Sequence, residues 1–341
     1  MEVSKIDNFQ KIVKQVDVSG FAGKKILITG SNGLIGKYLA SFFIFLNTNY
    51  GFNIDLYLTS KSKYSSSDHG TYISKDLAYE HWYWGELPKI DFCFYCAGYA
   101  QPSKFISDPI TTLNINTVGV YNTFSSIFEK NTEASCLFLS SSEVYSNTIK
   151  SSPHEETDTI TVDPTNKRNC YILGKLAGEH IVNSFRNNNK NVISARVSLC
   201  YGPGVMSDDK RALSEMVQKG VHNGSIDLFD DGSATRKYMH VSDFTTMILN
   251  VILKGKNNIY NICGGEESSI YKIATIVSKK LNVEVIKGHD NNVVSISAPK
   301  VVQNSLNRYN NEFTEIEFKP LEEGINEFVD WYVNELNKVN G

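Results

Sequence analysis
The chain has 341 residues, with 34 Lys plus Arg against 37 Asp plus Glu, a formal net charge of −3 and 41% hydrophobic residues. That length carries a sizeable core and about two domains at roughly 150 residues each. The near-neutral balance excludes the strongly basic face of a general nucleic-acid binder and favours a small-molecule partner.

In chain order, Ile6, Phe9, Ile12, Val13 and Val16 recur at helical spacing, so residues 1–20 read as an amphipathic helical extension that packs on the body or on a partner subunit. From Lys25, short β-branched runs alternate with longer helical periods. Strands are expected at Ile26 to Thr29, Ile54 to Leu58, Asp91 to Tyr95, Cys136 to Leu139 and Val192 to Arg196, and helices at Leu34 to Phe45, Pro109 to Phe128 and Tyr171 to Phe185. Strand and helix in turn imply right-handed crossovers: an α/β, Rossmann-type doubly wound parallel sheet over residues 21–200.

After residue 200 the segments shorten: a helix near Ala212 to Val221, strands near Ile226 to Leu228 and Lys237 to Val241, helices at Asp243 to Leu253 and Ile270 to Leu281, and a last helix within Glu317 to Lys338. Residues 201–341 therefore read mainly as a smaller α/β substrate lobe over the carboxyl edge of the sheet, where open α/β sheets bind ligands. The stretches Ser65 to Gly70 and Ser207 to Lys210 read as polar loops. The aromatic run Tyr79 to Trp84 reads as packing or a subunit contact, since no basic stripe accompanies it.

Cys93, Cys96, Cys136, Cys170, Cys200 and Cys263 sit in apolar surroundings, and the charged opening Met1 to Lys5 does not resemble a secretory leader. Both features point to a reducing cytoplasm. Cys93 and Cys96 have C-x-x-C spacing without a second pair, and His154, His180 and His240 lack partners at ligand spacing, so no metal is expected. The longest apolar stretch, Leu39 to Leu46, is too short to span a bilayer.

Directly after the first strand comes Gly30-Ser31-Asn32-Gly33-Leu34-Ile35-Gly36, a G-x-x-G-x-x-G loop opening a helix. Gly30 permits the tight turn, Gly33 lets the backbone approach a pyrophosphate, Gly36 lets the helix press on the strand, and the helix start offers N–H donors. The cofactor is NAD or NADP. An NAD site usually ends its second strand with an acid, but here Thr59 and Ser60 precede Lys61 and Lys63, hydroxyls and cations that suit an extra phosphate and lean the choice to NADP. Asp76, followed by Leu77, is placed to meet the adenine amino group.

Tyr171 and Lys175 form Y-x-x-x-K, which on a helix shares one face. An ammonium beside a phenol favours the phenolate and is expected to draw the Tyr pKa down, while the same Lys can bind the nicotinamide ribose. Upstream, Ser140-Ser141-Ser142-Glu143-Val144-Tyr145 stands at the carboxyl end of a strand, where chemistry in this sheet type collects.

With these motifs in this order, the chain resembles the extended short-chain dehydrogenases/reductases that modify nucleotide sugars. The likeness runs from Lys25 to about Tyr332 through Cys96-Ala97-Gly98, Asp108-Pro109, Asn116, Ser141/Tyr171/Lys175, Tyr201-Gly202-Pro203, Asp231 to Arg236 and Tyr260-Asn261-Ile262. Within the family it is most similar to UDP-glucuronate decarboxylases, at Ala100 to Ser103, Ser141 to Tyr145, Arg168 to Tyr171 with Gly174-Lys175, and Thr235-Arg236 before Val241-Ser242-Asp243. The resemblance implies that Tyr171 takes the sugar 4-hydroxyl proton as hydride leaves for the nicotinamide, that Ser141 hydrogen-bonds the same oxygen, and that Lys175 poises Tyr171. It also places Ala97, Gly98 and Asn116 against the cofactor, Ser142 and Glu143 beside the reacting ring carbon, and Arg236 on the substrate's acidic groups. Arg211 is a plausible diphosphate ligand. The family's pairing through two long helices implies a homodimer.

Neighbouring activities separate residue by residue. A 4,6-dehydratase carries Asp where Ser142 stands, and a simple 4-epimerase usually has a small neutral residue in place of Glu143. The chain departs from the decarboxylase pattern at Leu199, where an asparagine is usual, and at Gly204, where an arginine is frequent. With Thr59, these departures leave open an NADPH-dependent reductase of a 4-keto nucleotide sugar. A silent dinucleotide-binding sensor would not need the intact triad.

Overall fold
In a computed structural model, residues 3–61, 70–83, 85–148, 150–206, 208–288 and 303–340 are described. Lys63 and most of the polar loop before Gly70 lie outside them, as do Trp84 and Ser207.

The first half alternates as its sequence periods require. After α1 (Val3–Gln15) come β1 (Lys25–Thr29), α2 (Leu34–Tyr50), β2 (Asp55–Ser60), β3 (Thr71–Ser74) and β4 (Phe92–Tyr95). Helices α3 (Pro102–Ser107), α4 (Pro109–Asn116) and α5 (Val118–Lys130) lead to β5 (Ser135–Ser141), α6 (Cys170–Asn187) and β6 (Asn191–Val197). Beyond these follow β7 (Leu199–Tyr201), α7 (Ala212–Asn223), β8 (Ser225–Asp227), β9 (Thr235–His240), α8 (Val241–Lys254) and β10 (Ile259–Ile262). The chain ends through β11 (Glu267–Ser269), α9 (Ile270–Leu281), β12 (Glu284–Ile286), α10 (Asn307–Asn310) and α11 (Leu321–Asn340).

A seven-stranded parallel sheet runs in the order β10-β6-β5-β4-β1-β2-β3. Because side chains alternate along a strand, each buried run serves both faces. Ile26, Ile28, Phe94, Leu137, Leu139 and Ile193 pack beneath α2 and α8, whereas Leu27, Cys93, Tyr95, Cys136, Phe138 and Val192 pack against Val120, Phe124 and Phe128 of α5. This is the Rossmann-type, doubly wound α/β sheet expected from the sequence. The order reverses between β1 and β4, so their carboxyl ends open the crevice in which such sheets take a dinucleotide.

Helix α1 docks on the body: Phe9 is fully buried with its ring 5.1 Å from Tyr38 and 5.5 Å from Phe42, and Asn8 donates to Glu327 at 2.7 Å. Past residue 200 the chain first leaves the main sheet. Strands β11, β9 and β7 form a small sheet, β8 pairs with β12, and α7, α9 and α11 pack around them. It then returns, because α8 covers the main sheet and β10 supplies its edge beside β6.

The long helix expected over Pro109 to Phe128 is instead two helices, broken at Thr117. Buried Tyr95 causes the break: its hydroxyl donates to the Ile115 carbonyl at 2.6 Å, taking the acceptor that Gly119 N–H would use in a continuous helix. Within Tyr79 to Tyr83 only Trp82 packs inward, its indole N–H bonded to Thr123 at 3.0 Å and its ring 4.9 Å from the Lys75 ammonium, while Tyr79 and Tyr83 are exposed. All six cysteines are free thiols. Among the described residues, no cluster of metal-ligating side chains occurs and no helix is long and apolar enough to cross a membrane.

Candidate active site
The glycine loop joins β1 to α2 at the switch point. Gly30 has φ +64°, and a Cβ there would lie 2.8 Å from the Ala97 and Cys96 backbone. A Cβ on Gly36 would fall 2.5 Å from the Gly30 carbonyl oxygen, so α2 presses on the turn only because both are glycine. Gly33 differs. It caps α2 without a side-chain hydrogen bond, and a Cβ would meet only the Gly30 oxygen at 3.4 Å. The space before the helix N-terminus is thus clear of protein, as a pyrophosphate requires. Gly33→Ala is expected to change unfolding free energy by no more than about 1 kcal/mol in urea, while dinucleotide affinity, read by fluorescence titration, falls at least about tenfold.

At the end of β2, Thr59 is fully buried, and its side-chain oxygen has no hydrogen-bond partner. Its carbonyl accepts from Ser31 N–H at 3.1 Å and from the Ser31 hydroxyl at 3.2 Å, so the Thr59 backbone anchors the glycine loop. Ser60 is half-buried, accepts from the Asn32 amide at 2.7 Å, and pairs with Tyr72. Lys61 and Asp76, expected to meet different parts of the cofactor, are 3.0 Å apart as an ion pair. Leu77 is buried, and its carbonyl lies 2.7 Å from the Cβ position of Gly119. Leu34 is buried at the start of α2, with Ile35 half-buried beside it.

After β4, the Ala97 N–H is held by the Thr29 hydroxyl at 3.1 Å, leaving Gly98 facing α4 and α6. A Cβ on Gly98 would stand 3.6 Å from the Lys175 Nζ and 3.8 Å from the Asn116 Oδ1. Asn116 is fully buried. Its amide donates to Thr112, and its Oδ1 is left without a partner. An orphaned buried acceptor is costly unless a ligand supplies a donor. With the clear ground before Gly33, it fits this crevice to a dinucleotide.

Strand β5 ends on Ser141, whose Oγ accepts from Glu143 N–H at 3.2 Å and caps the 3-10 turn Ser142–Tyr145. Tyr171 and Lys175 lie one turn apart on α6, both buried, with the Lys175 Nζ 5.6 Å from the Tyr171 ring centroid. Lys175 donates to the Leu139 carbonyl at 2.6 Å, and burial lowers its pKa to about 7. The Tyr171 phenol is pushed up to about 12 by burial and by the Glu143 carboxylate, against a lowering hydrogen bond from Ser141. The expected downward pull of Lys175 on Tyr171 is not met in the chain alone: burial dominates, and the groups that lower the phenol are Ser141 and Arg211.

Glu143 does not stand in solvent: Arg168 Nη2 lies 3.1 Å and 3.3 Å from its two oxygens. Ser142 is half-buried on the same turn. From the small lobe, β9 brings Arg236 into the field of Glu143, with Nη1 donating to the Thr235 carbonyl at 2.7 Å. Arg211 is close enough to influence Tyr171, but its guanidinium is held by buried Asp209, with Nε 2.9 Å from Oδ2, and by the Cys200 carbonyl. Gly204, at φ +106°, closes the turn after β7, and Leu199 pairs with Tyr238.

The sequence reading missed the support under β5. Glu179, two turns beyond Tyr171, receives Arg196 in a fork at 2.9 Å and 2.7 Å and the Ser140 hydroxyl at 2.5 Å. Arg196 continues to the Tyr145 hydroxyl at 2.7 Å, which bonds to Asn261 at 2.9 Å. The available signal was a charged residue inside the apolar run of β6. Phe105, whose ring lies against Tyr171, carried no such signal.

Residues 26–263 match the model of the "NAD dependent epimerase/dehydratase family". Among curated proteins the chain is similar to UDP-glucuronic acid decarboxylase 2 of Arabidopsis thaliana, 24% identical over 265 residues, covering 76% of this chain and 58% of that protein. The chain thus spans less than two thirds of that relative. Among solved structures it resembles the epimerase Mth375 of Methanothermobacter thermautotrophicus (TM-score 0.77, 17% identity, 99% and 98% of the two chains). It also resembles a dTDP-glucose 4,6-dehydratase of Bacillus anthracis solved with NAD (TM-score 0.72, 20% identity, 92% and 98%). Glycine loop, switch-point crevice and the Ser141, Tyr171 and Lys175 constellation thus fall within the matched stretch, and the chain belongs to the NAD dependent epimerase/dehydratase family of NAD(P)-dependent enzymes.

Proposed function
We propose that this enzyme oxidises the 4-hydroxyl of a nucleotide-diphosphate sugar transiently and decarboxylates it, with UDP-glucuronate as substrate. The observation that carries this reading is Glu143 on the turn after β5, within electrostatic reach of Tyr171 and also of Arg236. Gly30 to Gly36, Ala97, Gly98, Asn116 and Lys175 would hold the dinucleotide, which supplies a hydride acceptor and, when oxidised, a positive charge that favours the Tyr171 phenolate. Tyr171 accepts the 4-hydroxyl proton while Ser141 hydrogen-bonds the same oxygen. Oxidation at C4 makes the sugar a β-keto acid, so the C5–carboxylate bond breaks with release of carbon dioxide. The electron pair left at C5 takes a proton, hydride returns to C4, and Tyr171 returns its proton to the oxygen. The balance is UDP-glucuronate plus a proton giving a UDP-pentose plus carbon dioxide, without net redox change.

Arg236 and, once freed from Asp209, Arg211 supply cations for the sugar's carboxylate and diphosphate. Ser142 lacks the acidity to protonate a departing 6-hydroxyl, which disfavours a 4,6-dehydratase. A second reading, the NADPH-dependent 4-keto-sugar reductase, is favoured by the absence of an acid at the end of β2 and by Leu199 in place of a polar residue. Carbon dioxide release from UDP-glucuronate at constant nicotinamide absorbance supports the first reading. Inertness towards UDP-glucuronate, with NADPH oxidation on a 4-keto sugar, rejects it.

Lys61 is the cation through which the site would prefer NADP. Lys61→Ala is expected to weaken NADP binding about tenfold and leave NAD within about twofold, measured by calorimetry. For assembly, the exposed Ile110, Val118 and Tyr121 on α4 and α5 support an isologous homodimer through these helices and α6. Light scattering is expected to give twice the chain mass, and Tyr121→Glu the mass of one chain.

A further inference from the structure
We propose that Arg168 and Phe105 form a positioning unit that holds Glu143 and Tyr171 at a fixed separation, closing a ring of contacts around the reacting sugar carbon. The proposal deepens the reading of this site as a sugar-oxidising centre and rests on it. Glu143 and Tyr171 belong to different segments, the 3-10 turn after β5 and the first turn of α6. Ser141 stands between them on one side, accepting from Glu143 N–H at 3.2 Å and lying near enough to the Tyr171 phenol to draw its pKa down. The second link passes through residues outside the triad. Arg168 meets both oxygens of Glu143, and its guanidinium carbon lies 5.7 Å from the Phe105 ring centroid. Phe105, only 1% exposed, stacks on Tyr171 with centroids 4.9 Å apart and planes 13° from parallel.

Both residues are themselves held. Arg168 sits in the 3-10 turn Lys167–Asn169, where Asn166 caps its N–H at 3.0 Å and Asn169 donates to the Asp163 carbonyl at 2.9 Å and accepts from Asn147 at 3.2 Å. Phe105 lies on α3, and its carbonyl accepts from the Cys170 thiol at 3.2 Å, next to Tyr171. A planar guanidinium can meet a carboxylate edge-on while presenting its face to a ring; an ammonium cannot do both. A displacement of the order of 1 Å at a reacting group costs about 100-fold in rate, so such a unit has measurable weight. Arg168 and Phe105 touch neither sugar nor cofactor in this account and act through Glu143 and Tyr171.

The test uses the full chain loaded with NAD. Tyr171 ring flipping, followed by NMR of ring-labelled tyrosine and assigned with Tyr171→Phe, is expected to be at least about tenfold faster in Arg168→Met and Phe105→Leu than in the wild type. Arg168→Lys should fall between, and all three should melt within a few degrees of the wild type. With UDP-glucuronate, Arg168→Met should lower kcat about 100-fold with KM within about threefold. In a Glu143→Gln background the same substitution should cost less than about threefold more. Unchanged Tyr171 flipping in Arg168→Met and Phe105→Leu overturns the unit, as does a full additive loss on top of Glu143→Gln. If Arg168→Met does not fold, Arg168→Lys and Phe105→Leu decide by the same ring measurement. If the wild type is inert towards UDP-glucuronate, the substrate reading fails while ring flipping still judges the unit.

Discussion

Tyr171→Phe is expected to lower turnover by about 1,000-fold or more, the upper part of the range for losing a positioned acid/base, while dinucleotide affinity stays within about threefold. The substitution removes one oxygen. The ring keeps its stacking on Phe105, and Lys175 keeps its bond to the Leu139 carbonyl, so cofactor contacts on α6 persist. What disappears is the only group proposed to exchange a proton with the sugar 4-oxygen. Ser141 can still hydrogen-bond that oxygen, but its hydroxyl is a poor base. Stopped-flow absorbance of nicotinamide reduction, beside an equilibrium titration of the cofactor, separates the two quantities. Turnover near the wild-type rate would remove Tyr171 from the chemistry, and a collapse of cofactor affinity would show that its hydroxyl serves binding instead.

The largest effect on stability is expected beneath the site. Arg196→Met leaves the Glu179 carboxylate, with its side chain 6% exposed, without its forked partner, and strips the Tyr145 hydroxyl of a donor. Removing one member of a buried ion pair costs about 3–5 kcal/mol, because the survivor stays buried and charged. Urea unfolding of the single variant should show a loss in that range. Arg196→Met combined with Glu179→Gln should recover part of it, since no uncompensated charge then remains. The pair also bears on catalysis: Ser140, bonded to Glu179, immediately precedes Ser141, and Glu179 shares α6 with Tyr171. The network thus ties the strand end to the helix that carries the phenol. A loss below about 1 kcal/mol would place the pair among solvent-screened contacts.

These two cases show which parts of the molecule are readable from sequence. Gly30 and Gly36 declare themselves because their roles are local: a backbone angle and a close approach within one turn. Tyr171 and Lys175 are legible for the same reason, since helical spacing alone puts them on one face. Ser141 is legible because it ends a strand. The anchoring role of Thr59 is not, because it is the backbone carbonyl that holds Ser31, through a pairing of β2 with the glycine loop that the side chain does not announce. The elevated pKa of Tyr171 was equally hidden: spacing reveals the neighbouring Lys175 but not the burial that raises the phenol. Contacts between residues far apart in the chain, such as Glu143 with Arg168, Phe105 with Tyr171, and Glu179 with Arg196, require the fold itself. The break at Thr117 belongs with them, since a tyrosine on β4 produces it.

The most direct test of the proposed reaction follows one hydrogen atom. UDP-glucuronate carrying deuterium at C4 is incubated with the purified enzyme, and product, carbon dioxide and nicotinamide absorbance are followed together. A closed redox cycle predicts one carbon dioxide per sugar, deuterium retained at C4 of a UDP-pentose, and no net change in reduced cofactor. Absence of carbon dioxide, or deuterium lost from C4 with stoichiometric change of the cofactor, would contradict it.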